Sequence, residues 1–147
     1  MKERIAIASD HAGFQLKESL RAFLAAKGYE VKDFGTNSEE RVDYPLFIRP
    51  AAEAVARGEC SAGIVIGGSG NGEAMVANKV KGIRCAVCWN SESARFAKAH
   101  NNANVVAMGE RLVSDHMAQC VVETWLETAY EGGRHQKRLD EIAEMER

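Results

Sequence analysis

The chain of 147 residues has no surplus of charge. Nineteen Lys and Arg stand against 21 Asp and Glu, giving a formal charge of −2 and a pI near 6.1. Global attraction to nucleic acid or acidic membranes is thereby excluded, so any anionic ligand needs a local cationic cluster. Long apolar runs are also missing. The first run, Ile5 to Ala8, is too short for a signal-peptide core, and none approaches the ~20 residues of a membrane span. The expectation is a cytoplasmic protein with neither a nucleic-acid nor a membrane partner. Linkers, internal repeats and low-complexity stretches are absent as well. One domain over residues 1–147 is therefore expected, large enough to bury a core without staples. Cysteine is scarce, at positions 60, 85, 88 and 120. Cys85 and Cys88 form a C-x-x-C, but no second pair and no His-x-x-x-His completes a metal set. Arg84 to Trp89 reads as a buried strand, on which residues three apart face opposite sides, so the two thiols should diverge.

What is present is a regular alternation of strand and helix. Strands are expected at Ile5–Ala8, Glu30–Phe34, Ala62–Ile66, Arg84–Cys88 and Val105–Met108. Helices are expected at about Gly13–Lys27, Pro45–Arg57, Glu73–Val80, Ser91–His100 and Ser114–Thr128. A last helix runs from about Arg134 to Met145, after Gly132-Gly133. The alternating pattern of Glu30–Phe34 marks a half-exposed strand at a sheet edge. The whole predicts an α/β protein: a three-layer, doubly wound α/β/α sandwich around a five-stranded parallel sheet, with an extra C-terminal helix. In such sheets ligands bind beyond the carboxyl ends of the strands, at a switch point.

Gly67-Gly68-Ser69-Gly70-Asn71-Gly72 is the strongest local signal. Between a strand and a helix, its amides converge on one point and favour negative charge. The glycine spacing matches a Walker A loop, but Glu73 and Ala74 stand where Lys and Ser/Thr are required, so nucleotide hydrolysis is excluded. The first turn, Asp10-His11-Ala12-Gly13, lacks the dinucleotide G-x-G-x-x-G. An anion nest beside a carboxylate suits proton abstraction next to a carbonyl, with the nest holding the enediolate oxygen. Glu73 is equally explained as a first-turn acid complementing the helix dipole. Asp10 reads either as an N-cap or as part of a crevice shared with the nest, because first and third strands are commonly neighbours.

His100 ends the fourth helix, where it either complements the helix C-terminus or acts as an acid–base group. His116 reads as structural. Arg134 and Arg138 lie four apart on one face of the last helix, suited to a phosphate clamp or simply to a solvated surface. That helix has only a narrow apolar stripe of Leu139, Ile142 and Met145.

Several segments together resemble the type B ribose-5-phosphate isomerases and galactose-6-phosphate isomerase subunits. They are Ser9-Asp10-His11-Ala12-Gly13, Asp43-Tyr44-Pro45, Gly67 to Glu73, Ala77-Asn78-Lys79 with Gly82-Ile83-Arg84, His100-Asn101, Asn104-Val105 and Tyr130 to His135. The resemblance implies interconversion of ribose 5-phosphate and ribulose 5-phosphate, without metal or organic cofactor. It implies a homodimer or dimer of dimers with sites between subunits. Residue by residue, it makes Glu73 the base between C1 and C2, and has Gly68, Ser69, Gly70, Asn71 and Gly72 hold the enediolate. His100 opens the furanose ring. Asp10, His11 and Asn101 contact sugar hydroxyls, while Arg111, Arg134 and Arg138 bind phosphate. Many members place a cysteine base where this chain has Gly67; the present sequence resembles the glutamate branch. Another phosphorylated aldose (a galactose, allose or tetrose phosphate) is the alternative substrate, and a silent phosphate-binding module is the alternative of a different class. With no metal set and no cysteine at the base position, activity should survive chelators and mild alkylation. Loss to a chelator, restored by zinc or manganese, would overturn the metal-free expectation.

Overall fold

The structure is a computed structural model that describes residues 3–147. The strands are β1 (Arg4–Ser9), β2 (Glu30–Asp33), β3 (Ala62–Gly67), β4 (Cys85–Val87) and β5 (Val105–Gly109). All pair in parallel, in the order β2-β1-β3-β5-β4. The helices are α1 (Phe14–Ala26), α2 (Pro45–Ala56), α3 (Asn71–Asn78), α4 (Ser91–Ala99), α5 (Asp115–Glu127) and α6 (Arg134–Glu144). Strands one and three are neighbours, as the doubly wound pattern requires, and β2 is an edge.

Alternation along the strands builds two cores of different grain. Ile5, Ile7, Ile64, Ile66, Val106 and Met108 point to one face, against Leu16, Leu20 and Leu24 of α1, Ala94 and Ala97 of α4 and Trp125 of α5. Ala6, Ala8, Val65 and Ala107 point to the other, against α2 and α3. Small strand residues on that second face let α2 and α3 approach the sheet closely. Trp125 is fully buried, and its Nε1 donates to the Ala103 carbonyl at 2.9 Å, satisfying the one polar atom of the largest core side chain.

One expectation is corrected. The strand carrying Cys85 is not buried: β4 is the second sheet edge, and all its residues are half-buried because no further strand covers it. The thiols do diverge, Cys88 into the α1–α4–α5 core and Cys85 towards α2 and α3. Burial pushes the Cys85 thiol far up and that of Cys88 up to about 11, so neither is a ready thiolate. Boundaries also shift: β3 runs on through Gly67, and α3 starts at Asn71 because Gly70, at φ 87°, supplies a left-handed N-cap. The C-terminal helix α6 packs outside the layers and buries only Leu139.

Lys17 ties α1 to the end of β2. It is fully buried, yet its ammonium meets Asp33 Oδ1 and Oδ2 at 3.0 and 2.9 Å and Glu18 Oε2 at 2.9 Å. Asp33 Oδ1 in turn accepts from the Gly35 amide at 2.9 Å, and Gly35 bonds the Ser9 amide just before Asp10. The buried charge thus holds the loop that flanks the first strand's carboxyl end. Removing one member of a buried pair strands the other, at a cost of about 3–5 kcal/mol. Asp33 retains Arg21 at 3.5 Å, so Lys17→Met should lose about 2–3 kcal/mol, at or just under the low end of that range. Urea unfolding checks this; a loss below about 1 kcal/mol would show the cluster to be neutral.

Candidate active site

Helices that join parallel strands run back along the sheet, so their N-termini gather at the strands' carboxyl ends. Five segments meet there: Asp10 to Ala12 after β1, Tyr44 before α2, Gly68 and Ser69 after β3, Gly72 and Glu73 in the first turn of α3, and Arg111 with Leu112 after β5. They line one cavity of about 400 Å³. Asp10 is buried and caps a 3₁₀ turn, its Oδ1 accepting from the Gly13 amide at 3.1 Å. His11 Nδ1 accepts from the Val42 amide at 3.2 Å, which leaves Nε2 as the ring's proton-bearing nitrogen. Both the capping and the crevice readings of Asp10 therefore hold together.

The glycine turn is pressed on its neighbours. A Cβ on Gly70 would stand 2.8 Å from the Met108 main chain, and one on Gly72 2.6 Å from the Tyr44 ring. The Glu110 amide donates to the Gly67 carbonyl at 2.8 Å and that of Arg111 to Gly68 at 3.1 Å, locking the turn to the end of β5. The Arg111 guanidinium lies beside Gly68, where a Cβ would be 3.0 Å from Nη1. Ser69 Oγ accepts from the Asn71 amide at 3.2 Å.

Glu73 is only 4% exposed, and its carboxylate rests directly on Gly67: a Cβ there would be 2.2 Å from the carboxyl carbon. Burial pushes the Glu73 carboxyl above its ordinary range. Its own main-chain amide opposes that, and Asp10 adds a lesser upward push. A plain first-turn acid complementing the helix dipole would be held down instead. Desolvation wins, which is the condition a carboxylate needs to serve as a base near neutral pH.

The remaining candidates lie elsewhere in the same chain. His100 caps the C-terminus of α4, and the Asn101 and Asn102 carbonyls accept from Arg84 at the start of β4. That places His100 and Asn101 at the amino ends of the strands. The tail joins them there, since the Glu131 amide donates to the Ala99 carbonyl at 2.9 Å. Arg134 and Arg138 are exposed on α6, and Arg138 Nη1 donates to the Arg134 carbonyl at 2.8 Å. Asn71 faces away from the Glu73 cavity, towards Met75, Lys79 and Cys85. The structure thus divides the expected site: Asp10, His11, Gly68, Ser69, Gly72, Glu73 and Arg111 share a cavity, whereas His100, Asn101, Arg134 and Arg138 lie at the opposite end of the sheet.

Sequence reasoning gave no role to Tyr44, Glu131 or His135. Tyr44 was legible in outline, because the residue before a helix N-terminus must lie at the ligand end of the sheet. His100 and His135 stack with ring centroids 4.4 Å apart and planes 16° apart. With Glu131 they are the one group, among the described residues, with metal-ligand atoms within 4.8 Å of one another. With the rings near-parallel and stacked 4.4 Å apart, their in-plane lone pairs lie in separate planes and do not converge on the single point that a tetrahedral ion needs.

Comparison with known proteins shows the family. The ribose/galactose isomerase family model matches residues 5–142. The chain belongs to the ribose/galactose isomerase family. Among relatives in this family, it is 46% identical over 144 residues to ribose-5-phosphate isomerase B of Escherichia coli, covering 98% of this chain and 97% of that protein. The solved ribose-5-phosphate isomerase B of Clostridium thermocellum is 52% identical with a TM-score of 0.96, covering 97% of each chain. That of Mycoplasma genitalium, solved with bound ribulose 5-phosphate, is 39% identical with a TM-score of 0.94, covering 97% of this chain and 95% of that one.

The raised Glu73 carboxyl fixes a stability test. A group whose folded pKa lies above its unfolded value stabilises the fold below the unfolded pKa, and loses that contribution as pH rises through the folded one. Glu73→Gln removes the cost of ionising a buried carboxyl, so it should raise the melting temperature relative to the parent at pH 7 and not at pH 4. An equal shift at both pH values would show that burial does not disfavour the charged form.

Proposed function

We propose that this chain interconverts ribose 5-phosphate and ribulose 5-phosphate through an enediolate. The observation that carries the reading is the buried, upward-shifted Glu73 carboxylate set against Gly67, beside a turn whose first-turn amides have no intrahelical partners. The relatives' names support the reaction, and the ligand bound to the Mycoplasma genitalium enzyme supports the substrate.

In this mechanism Glu73 takes the C2 proton of the open-chain aldose and returns it to C1. Meanwhile the hydroxyl proton on O2 moves to O1, and the negative charge carried by these two oxygens in the enediolate is stabilised by the amides of Gly68 to Gly72 and the Ser69 hydroxyl. Asp10 and His11 hold sugar hydroxyls and Arg111 binds phosphate. His100 opens the furanose ring, while Asn101 contacts the sugar and Arg134 and Arg138 clamp the phosphate. Because these four lie at the far end of the sheet, they serve the cavity from a second copy of the chain. A homodimer, alone or as a dimer of dimers, is the corresponding assembly. The apolar side chains Met75 (67% exposed), Trp89 (58%) and Ile142 (44%) flank the uncovered β4 edge and give such a contact its surface.

A coupled assay across phosphorylated pentoses, hexoses and tetroses tests the assignment, with two variants. Ribose 5-phosphate should be turned over with the highest kcat/KM. Glu73→Gln should lower kcat by about 10²–10⁴, the worth of a general base. Gly67→Ala should do nearly as much while folding normally, because the new Cβ takes the carboxylate's place. Preference for a hexose phosphate, or near-normal turnover by Glu73→Gln, would overturn the assignment.

A further inference from the structure

His100 does not stand alone. Its ring meets Phe96 in a tilted contact, with centroids 4.9 Å apart, and stacks on His135 at 4.4 Å. One carboxylate oxygen, Glu131 Oε1, lies 4.0 Å from His100 Nε2 and 3.4 Å from His135 Nε2. The His135 side chain is only 12% exposed, and its Nε2 is sealed from solvent without a hydrogen bond. The Glu131 main chain is fixed independently by its bond to Ala99, so its carboxylate is delivered to this spot by backbone geometry. Burying an imidazole nitrogen without a hydrogen bond costs free energy, as does orienting a carboxylate that solvent would otherwise hold. A surface chosen only for stability has no use for either.

We propose that Glu131 and His135 are positioning residues for ring opening by His100, an inference that rests on the reading of His100 given above. Ring opening moves one proton from O1 to the ring oxygen O4. His100 takes the O1 proton, C1=O1 forms as C1–O4 breaks, and the resulting imidazolium returns the proton to O4. Glu131 faces Nε2 and stabilises that positive charge, as the buried carboxylate does in a serine-protease triad. It also favours the tautomer with the proton on Nε2, leaving Nδ1 as the nitrogen that meets the sugar. His135 stacks on the ring and stops it from turning, and its Nε2, 3.4 Å from the same carboxylate oxygen, is that carboxylate's neighbour without hydrogen-bonding it.

The ketose phosphate has no furanose form, which separates this step from proton transfer at carbon. Glu131→Ala and His135→Ala should lower turnover of ribose 5-phosphate about 10- to 100-fold, the lower part of the usual acid–base range. Exchange of a C1 hydrogen of ribulose 5-phosphate with solvent, which does not pass through ring opening, should stay within about twofold of the parent. His135→Phe keeps the stack and should recover part of the loss. Imidazole ¹⁵N shifts of His100 should show the Nε2–H tautomer in the parent and a mixture in Glu131→Ala. Unchanged turnover, or turnover and exchange falling together, would overturn the proposal. A parallel His100→Gln variant separates the two readings: if it turns over ribose 5-phosphate normally, the role of His100 itself is wrong. If it loses turnover while the Glu131 and His135 variants keep theirs, only the positioning role is wrong.

Discussion

The contact between the Glu73 carboxylate and the bare Cα of Gly67 governs the ionisation of the buried acid at the carboxyl ends of the strands. Where the nest and the first turn of α3 offer positive potential, a carboxylate should be a better acid than usual, and so a poor base. Gly67 lets it lie against the backbone, out of water, and desolvation then outweighs the amides. The rest of the cavity depends on that packing. Gly70 is pressed on Met108 and Gly72 on Tyr44, so the turn cannot slide away and let solvent reach the carboxylate. The coarse and fine sides of the sheet serve the same end, because alanines on β1 and β5 allow α2 and α3 to close over the site.

A parallel sheet has two ends, and this chain puts titratable candidates for the proposed chemistry at both. Glu73 belongs to the ligand end. His100, with Glu131 and His135, sits where the helices finish and the strands begin. Furanose opening and carbon proton transfer ask for different groups, one cycling through a cation and the other buried and able to hold an anion. Placing them on opposite ends keeps the histidine pair away from the Glu73 carboxyl in the unassembled chain. On the proposed function, they meet only when two copies associate, and a lone chain is then an incomplete catalyst.

Much of this was legible in the sequence, for identifiable reasons. Strands and helices followed from hydrophobic period, and the site's location followed from the rule that ligands sit beyond the strands' carboxyl ends. Gly67 to Glu73 declared a nest beside a carboxylate. The sequence did not reveal the ionisation of Glu73, since dipole and burial pull in opposite directions and the balance is set by a contact across the turn. It misread β4 as buried, because Cys85 to Val87 is apolar whether or not another strand follows it in space. Glu131 and His135 were invisible as neighbours of His100, because α5 intervenes in sequence and only its return brings the tail beneath α4.

The resemblance to a family in which many members carry a cysteine base at the position of Gly67 acquires a physical meaning here. A side chain at 67 and the carboxylate of Glu73 claim the same volume. The two bases also need opposite electrostatics. A thiol, ordinarily near pKa 8.5, must be pulled down to be ionised at neutral pH, and a nest of amides does that unaided. A carboxyl, ordinarily near 4.3, must be pushed up, and the same nest works against it. Only exclusion of water reverses the balance, and only the missing side chain at 67 lets the carboxylate reach the place where water is excluded. Adding a thiol at 67 alone would expel the carboxylate into solvent, while deleting the carboxylate alone would leave a nest with no base. On the proposed function the identity of the base is therefore a property of two positions together, and Gly67 is as much a part of it as Glu73.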